Sequence, residues 1–453
     1  MAILTNPIKK QVIQDLKTDM DSSGTHYYAV IGRSEQWNAT DDAPAAVNSE
    51  REERNFRLGL QSAKKLIDVS FVVPRYNWSS GAIYSAYDDA QVGYPAQTYY
   101  VMNDENQVYL CLQRAENNAG QAQVSTDQPT GGTDGLPFDT TDGYIWQFLY
   151  SIGAASATKF MSANYIPVKL QGPTDGSSTA SEVEQLAIQN AAIPGQVVGY
   201  FVDSGGAGYS SAPTITVSGN GTKAKAGATI SGGQVSKVTL IDSSGSYTLG
   251  SGYTFANVTV TGGGSNVTKP AKVRAILGSP LGLGADPRDD LRSTAIMLNV
   301  KPSGNESTDF IVGNDFRQVG LLKNPMDSSG SVLFTETTGI CLKKLILSTV
   351  TSTFSPDNKI VGGTSGNIAL IDKVNGSSIW YHQTEDTGFG NFTAGEGVSE
   401  LNDSGVGVLD ISVTPYVNPE IDTMTGEILY IDNRASITRS DDQTEDIKLV
   451  IQI

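Results

Sequence analysis

Residues 426–453 read GEILYIDNRASITRSDDQTEDIKLVIQI, two apolar segments on either side of a polar one. In the second segment Ile447, Leu449 and Ile451 alternate with Lys448 and other side chains. Alternation of this kind places one face of a strand on a core. Strands near a terminus are ordered when they are tied into a sheet. The stretch therefore predicts two strands that join a sheet, with the alternating side chains buried.

The polar segment between the two strands carries many charges where a short turn would suffice. Asp432, Arg434, Arg439 and Glu445 are among them. Mixed-charge runs of this kind are usually solvated loops. A docking surface for a partner protein is the alternative, and both interpretations stay open at this point.

The same stretch resembles the C-terminus of the baseplate wedge proteins encoded by gene eight in contractile-tailed phages of the T-even type. Four more runs agree with that family in the same order. They are IGRSEQW at 31–37, VPRYNW at 73–78, DGYIWQFL at 142–149 and DFRQVGLLKNP at 315–325. Each run is short, but five in one order are specific. The resemblance extends over roughly the first 170 residues, about 293–335 and the last 35 residues, and it leaves out two Gly-rich regions.

The resemblance implies a structural role. Proteins of that family form a homodimer within each wedge around the tail hub, contact other wedge proteins and help to hold the plate before the sheath contracts. Their fold has two domains, the second inserted into the first. On this chain that implies a first domain at 1–79 and 293–453 and a second at 80–292. The fold class expected is mainly β with a few helices (α+β).

Composition limits the partners. The 453 residues carry a net charge of −17, and Lys and Arg form no dense cluster. A nucleic-acid binder needs a basic face, so neither nucleic acid nor an anionic membrane is an expected partner. No run is apolar enough to span a bilayer, and the first residues show no signal-peptide pattern. We expect assembly in the host cytoplasm and, from the resemblance, a final place in the tail baseplate of the virion.

Two regions differ in composition from the rest and predict β insert modules. Residues 193–278 consist largely of Gly, Ser, Thr and Val and contain a weak repeat. In it GAGY at 206–209 precedes ITVSG, and GSGY at 250–253 precedes VTVTG. Residues 345–412 have a similar character. Tight Gly turns between short strands are typical of such segments.

Local patterns predict the remaining elements. Asn6 and Pro7 favour the start of a helix whose apolar stripe includes Ile8 and Val12. Residues 48–67 predict a second helix, capped by Ser49. Strands are expected at 27–31, 69–73 and 144–150, and a hairpin at 99–112.

The residues offer little for catalysis or metal binding. His26 and His382 are the two histidines, and Cys111 and Cys341 the two cysteines. None is spaced as a zinc ligand, and no nucleophile elbow or phosphate-binding loop accompanies them. Both cysteines are expected to be small buried hydrophobes. We predict no catalytic residue, no metal and no cofactor, with the three carboxylates of 286–290 left open as a cation site.

Aromatic and Arg residues near loops are the usual anchors of protein interfaces. The candidate interface residues are Arg33, Trp37, Arg75, Trp78, Arg434 and Arg439. For the tryptophans, packing in a domain core is the alternative. The function expected from the sequence is a baseplate wedge subunit, not an enzyme, whose partners are a second copy and other wedge proteins. The alternative is a receptor- or carbohydrate-binding tail module.

Overall fold

The computed structural model describes residues 3–92, 98–242, 244–304, 309–411, 416–440 and 442–453. In this part of the chain the helices are α1 (Asn6–Asp21), α2 (Glu50–Leu58), α3 (Ala154–Phe160), α4 (Ala180–Ala191) and α5 (Pro287–Asp290). The strands are β1 (Tyr27–Gly32), β2 (Leu60–Lys65), β3 (Asp68–Pro74), β4 (Tyr100–Met102), β5 (Gln107–Gln113), β6 (Phe138–Asp139), β7 (Ile145–Ser151), β8 (Tyr165–Val168), β9 (Val197–Ser204), β10 (Thr214–Gly219), β11 (Gly227–Ser231), β12 (Gln234–Thr239), β13 (Ala256–Thr261), β14 (Lys272–Leu277), β15 (Ala295–Val300), β16 (Asp315–Lys323), β17 (Met326–Asp327), β18 (Thr338–Ile340), β19 (Lys343–Ser352), β20 (Lys359–Gly362), β21 (Ile368–Asn375), β22 (Ser378–His382), β23 (Gly397–Glu400), β24 (Val406–Leu409), β25 (Tyr416–Val417), β26 (Ile421–Asp422), β27 (Glu427–Thr438) and β28 (Ile447–Gln452). The predicted fold class, mainly β with a few helices, is confirmed.

The chain divides into two compact units. The first comprises Met1–Ile13, Ser70–Met297 and Ile451–Ile453, and the second comprises Gln14–Val69 and Leu298–Val450. The domain boundaries expected at 79/80 and 292/293 stay a prediction, because compactness does not test which segments fold independently. No helix in the described ranges is long and apolar enough to cross a membrane.

The second unit is built on a five-stranded antiparallel sheet in the order β18-β2-β1-β16-β27. Tyr28 and Leu322 face each other across β1 and β16 and are both fully buried. Phe56 of α2 is also fully buried and packs against Gly320, where an added Cβ would lie 2.3 Å from the ring. A side chain at this position would overlap the ring, so α2 can cover the sheet only where β16 has a glycine.

The structure corrects the helix predicted at 48–67. Ser49 caps α2 as expected, its side chain accepting a hydrogen bond from the Glu52 amide, but the helix ends at Leu58. After Gly59 the chain continues as β2, which pairs with β1 on one side and β18 on the other. Apolar residues at helical spacing are thus recruited into a sheet, because pairing on both edges outweighs local propensity.

The predicted stripe of α1 is also wrong. The helix begins at Asn6 as expected, but Ile8 and Val12 are 52% and 49% exposed. Ile13 is the buried residue of this helix. A spacing of four drifts around the helix axis, since one turn takes 3.6 residues. The contact face therefore differs from the stripe that a simple count suggested.

A closed β-barrel occupies the region predicted as the second β module. Strand β19 pairs with β24 on one edge and with β22 on the other, which closes the ring β19-β22-β21-β20-β23-β24. Its interior is filled by a cluster that includes Leu345, Ile360, Ile371, Tyr381 and Phe392. Because the ring is closed, none of its six strands has a free edge along these pairings. A strand of another chain therefore cannot pair with them there.

The first unit is centred on an aromatic core. Strands β4-β5-β7-β6 form an antiparallel sheet, and the predicted hairpin between β4 and β5 is confirmed. Trp146 of β7 is fully buried and stacks on Tyr144, with 5.5 Å between ring centroids. The strand predicted at 144–150 is thus the centre of this core. Cys111 belongs to the same cluster, is buried and is a free thiol, as expected.

The first β module, 193–278, consists of three two-stranded sheets, β9/β14, β10/β13 and β11/β12. The two strands of the predicted repeat, β10 and β13, are direct partners, with Val217 opposite Val258. The two Gly-X-Gly-Tyr turns that precede them share one conformation, with positive φ at all four glycines. Their tyrosines, Tyr209 and Tyr253, are both buried. The repeat in the sequence is therefore a repeat in the structure.

The final stretch forms two strands as predicted, but with different limits. Strand β27 runs from Glu427 to Thr438, so Asp432 and Arg434 lie in a strand rather than in the expected loop. Ile447 packs against a cluster that contains Phe316. The residues Ile447 to Ile451 of β28 are half-buried, so the prediction of one fully buried face is wrong.

Candidate functional site

A large and strongly polar cavity lies in the second unit. It measures about 880 Å³ and is bounded by residues 33–37, the end of α2, the start of β16 and the barrel loops at 357–359 and 384–386. Arg33 and Asp357, two of its lining residues, have φ of +61° and +68°. Non-glycine residues with such angles are uncommon and cluster at functional sites. Because two residues with such angles line the same cavity, we take it as the candidate functional site.

Arg317 organises the cavity wall. Its guanidinium is buried, and Nε lies 2.8 and 2.9 Å from the two carboxylate oxygens of Asp41. Nη2 is 3.0 Å from Asp315, and Nη1 donates to the carbonyl of Ser34. The hydrogen bond from Arg317 holds the pKa of Asp41 below its usual range. One buried cation thus fixes the loop 33–41 from both ends.

Three candidate interface residues meet beside this loop. The guanidinium of Arg33 lies 4.2 Å from the centroid of the Trp37 ring, a cation–π distance. Trp37 Nε1 donates to the carbonyl of Arg434 at 2.8 Å. The Arg434 side chain is 51% exposed and pairs with Asp432 at 2.6 Å. These contacts leave a half-buried aromatic ring and two Arg side chains at one place on the surface.

Arg75 and Trp78 lie in the other unit. Arg75 binds Asn77 at 2.9 Å and the carbonyl of Ser162 at 3.0 Å. Trp78 is half-buried against the aromatic core and donates to Ser125 at 3.0 Å. Both side chains therefore have roles inside their own unit, and their role in an interface stays a prediction.

The assumption that Arg439 is an exposed loop residue is wrong. Its side chain is only 1% exposed and pairs with Glu445 at 2.7 Å. The guanidinium also donates to the carbonyls of Ile311 and Gly304 and lies 4.7 Å from the Phe310 ring centroid. An Arg bound in this way is part of the core, so its removal should destabilise the fold rather than only weaken binding to a partner protein.

A buried ionic chain that the sequence did not indicate lies beside the cavity. His382 Nδ1 is 2.6 Å from Asp372, and Nε2 is 3.9 Å from Glu35. Asp372, which is fully buried, also accepts from Gln61 of β2 at 3.1 Å. Burial alone would lower the pKa of His382, but the two carboxylates raise it to about 10. The ring is therefore protonated at neutral pH and cannot act as a general base there.

The carboxylates of Asp286 and Asp290 in the segment 286–290 already bind other groups of the protein. Asp286 pairs with Arg288 at 2.9 Å and with Lys10 at 3.4 Å. Asp290, fully buried, accepts from Ser279 and from the Gly284 amide, and burial raises its pKa to about 7. Across the described ranges, no group of three or more His, Cys, Asp or Glu is arranged to hold a metal ion.

Comparison with known proteins identifies no family. No protein-family model matches the chain, and no curated protein matches it either.

Proposed function

We propose that this chain is a structural subunit of the baseplate wedge in a contractile-tailed phage, where it assembles with a second copy and with other wedge proteins. The proposal rests on the five ordered runs of resemblance. It includes the virion as the final location and a role in assembly rather than catalysis. The net charge of −17 agrees with protein partners better than with nucleic acid.

The observation that carries the proposal is where those runs meet. The runs 31–37, 315–325 and 426–453 are far apart in sequence, yet they contribute to the adjacent strands β1, β16 and β27. Arg317 from one run binds the Ser34 carbonyl of another, and Trp37 binds the Arg434 carbonyl of the third. Chance matches have no reason to converge. Their convergence supports a shared architecture.

The remaining two runs meet in the other unit. Trp78 from the run 73–78 packs against the cluster that contains Tyr144, Trp146 and Phe148 from the run 142–149. The resembling runs therefore supply the centre of both units, and the two β modules lie outside them in sequence. This agrees with a family core that carries additions specific to this chain.

The surface beside the candidate site provides the test. Full-length protein is co-expressed with the wedge proteins encoded by neighbouring tail genes, and their capture is measured. Arg434→Ala should reduce capture by about 2 kcal/mol or more of binding free energy if this Arg is an anchor. Its exposed side chain should leave the melting temperature nearly unchanged. Arg114→Ala, also exposed but in the other unit, is the matched control.

Failure of the wild-type protein to capture any wedge protein would contradict the proposal. Normal capture by Arg434→Ala would contradict only the choice of this surface.

A second candidate function, glycan binding, is favoured by Phe201, which is 47% exposed with the Arg274 guanidinium 4.7 Å from its ring centroid. A glycan array probed with the full chain and with Phe201→Ala tests it, since sugar stacking would be lost with the ring.

A further inference from the structure

The chain contains two Asn-Gly steps, Asn220-Gly221 in the first β module and Asn375-Gly376 in the barrel. An Asn side chain that precedes glycine is open to attack by the backbone nitrogen of that glycine, because glycine has no Cβ to hinder the approach. Both asparagines are exposed to solvent. Exposure therefore does not distinguish the two steps, and the difference between them lies in how each asparagine is held.

Asn375 and Gly376 lie at the tip of the hairpin between β21 and β22. Asn375 is opposite Ser378, the last pair of this ladder before the two-residue turn. Gly376 has a φ of +59°, which two-residue hairpin turns favour, and an added Cβ there would meet no atom within 4 Å. Among the described residues, neither the Asn375 side chain nor the Gly376 amide has a hydrogen-bond partner. The two groups that would react are thus both unengaged.

Asn220 is held by three hydrogen bonds. Its Nδ2 donates to the Thr254 hydroxyl at 3.0 Å, and its Oδ1 accepts from the amides of Thr254 at 3.0 Å and Phe255 at 3.5 Å. The next residue, Gly221, lies against the Tyr253 ring, where an added Cβ would be 2.3 Å from a ring atom. The Asn220 carboxamide must therefore lose its partners before it can turn toward its own backbone.

We propose that Asn375 is a site of spontaneous deamidation and that the first β module protects Asn220 from the same reaction. The Gly376 nitrogen attacks Asn375 Cγ, and the new C–N bond closes a succinimide ring. The side-chain nitrogen leaves as ammonia and carries away the proton of the Gly376 amide. Water then opens the ring at either carbonyl and leaves aspartate or isoaspartate. The proposal is independent of the assembly role.

The reaction changes both the charge and the backbone of the hairpin tip. Either product carries one more negative charge than asparagine, so it forms a more acidic species that ion-exchange chromatography separates. Isoaspartate also places a methylene group of the side chain in the backbone, next to the pair with Ser378. The barrel hairpin is therefore where chemical heterogeneity of this chain should begin.

The test follows the two steps in one sample of the full-length wild-type protein. It is incubated in mildly alkaline buffer at physiological temperature, and peptide mass spectrometry measures the fraction of each Asn-Gly peptide converted from amide to acid. Asn375 should react at least about tenfold faster than Asn220, because the hydrogen bonds of Asn220 add to its barrier. Equal rates at the two steps, or a faster reaction at Asn220, would overturn the proposal.

Incubation in guanidinium chloride separates the effect of the fold from that of the local sequence. Both steps are then flexible, so their rates should converge, and a difference of the same size in the unfolded protein would overturn the proposal. Asn375→Gln is the matched variant, since its longer side chain would have to close a larger ring. Conversion at this step should disappear while the exposed substitution leaves melting nearly unchanged. Conversion at an unchanged rate in Asn375→Gln would contradict attack by the Gly376 nitrogen.

Discussion

The two glycine-rich modules of this chain, 193–278 and 345–412, have similar compositions but differ in how they are stabilised. The first has three two-stranded sheets in which few strand residues are fully buried, and its backbone segments approach closely at glycine turns. The second closes into a barrel around an apolar core. The first module also has an apolar cluster, which includes Tyr209, Val235 and Val273. The two modules therefore differ in how their strands pair, as separate two-stranded sheets in one and as a closed ring in the other.

The buried charges follow the same division. In the barrel, Glu396 is buried and accepts from the amides of Thr364, Ser365 and Thr393, and Asp372 holds His382. Carboxylates inside the barrel thus order its loops. In the first module, the turn Gly206 to Tyr209 is held by backbone bonds such as that from Ala207 to Lys269. Composition alone therefore does not reveal which kind of interaction stabilises a β module.

Breaking the ionic chain of the barrel should cause the largest loss in the free energy of unfolding. Asp372→Ala leaves the buried His382 cation and Gln61 without their shared partner, and removing one member of a buried pair costs about 3–5 kcal/mol. Denaturant unfolding at neutral pH measures the loss. Asp386→Ala, an exposed acid of the same module, should change stability by less than about 0.5 kcal/mol. Equal stability of Asp372→Ala and the wild type would show that the pair adds nothing.

The corresponding change in the first module is at a glycine. In Gly208→Ala the new Cβ would lie 2.0 Å from the Asn266 carbonyl oxygen, at a φ of +86°. Strain and overpacking together should cost roughly 2–5 kcal/mol. Gly232→Ala is the matched control, with a φ of +57° and no atom within 4 Å of the new Cβ. Thermal melting should place its cost at about 1–2 kcal/mol, and equal losses for the two variants would argue against close approach as the cause.

A tyrosine pair compares the two modules directly. The Tyr209 hydroxyl accepts from the buried Ala271 amide at 2.9 Å, so Tyr209→Phe should cost about 1–3 kcal/mol. Tyr381→Phe removes a buried hydroxyl without a described partner and should leave stability unchanged or slightly higher. Denaturant midpoints of both variants test this. A larger loss in Tyr381→Phe than in Tyr209→Phe would reverse the comparison.

The pH dependence of stability, compared over a single pH unit, is the smallest of these effects, and it isolates His382. Its pKa is about 10 in the folded protein against 6.5 as the ordinary value. The folded state therefore binds more protons between these values, and stability from this group is complete below pH 6.5 and lost as pH rises toward 10. The slope should approach about 1.4 kcal/mol per pH unit. Unfolding free energies measured across this window should show a shallower slope in Asp372→Ala, and an unchanged slope would exclude His382 as its source.

Local patterns in the sequence were sufficient for much of the fold. The strand β7, the hairpin β4/β5 and the paired repeat of the first module follow from alternation and turn residues that act over a few positions. The helix α4 was missed, although its capping box, with Glu182 accepting from the Thr179 amide, can be read from the sequence. The helix predicted beyond Leu58 failed because distant strands recruit β2, and no local pattern contains that information.

The candidate site was predictable only in part. Arg33, Trp37 and Arg434 were chosen as aromatic and Arg residues near loops, and the structure brings these three together. The burial of Arg439 depends on residues that are distant in sequence, such as Ile311. The chain from Asp372 through His382 to Glu35 likewise joins residues that are distant in sequence or are brought together by strand pairing. The charges of Asp372 and His382 look like those of ordinary solvated residues until the pairing of β21 with β22 places them inside. Burial of a charge is a property of the fold, which spacing along the chain does not encode.

The most direct test of the central proposal, an assembly subunit of the baseplate wedge, is the molar mass of the full-length protein in solution. Light scattering after size-exclusion chromatography is measured for the protein alone and after co-expression with neighbouring wedge proteins. The account predicts twice the chain mass alone and a larger complex of fixed stoichiometry after co-expression. A monomer that elutes unchanged in the presence of every wedge protein would contradict it.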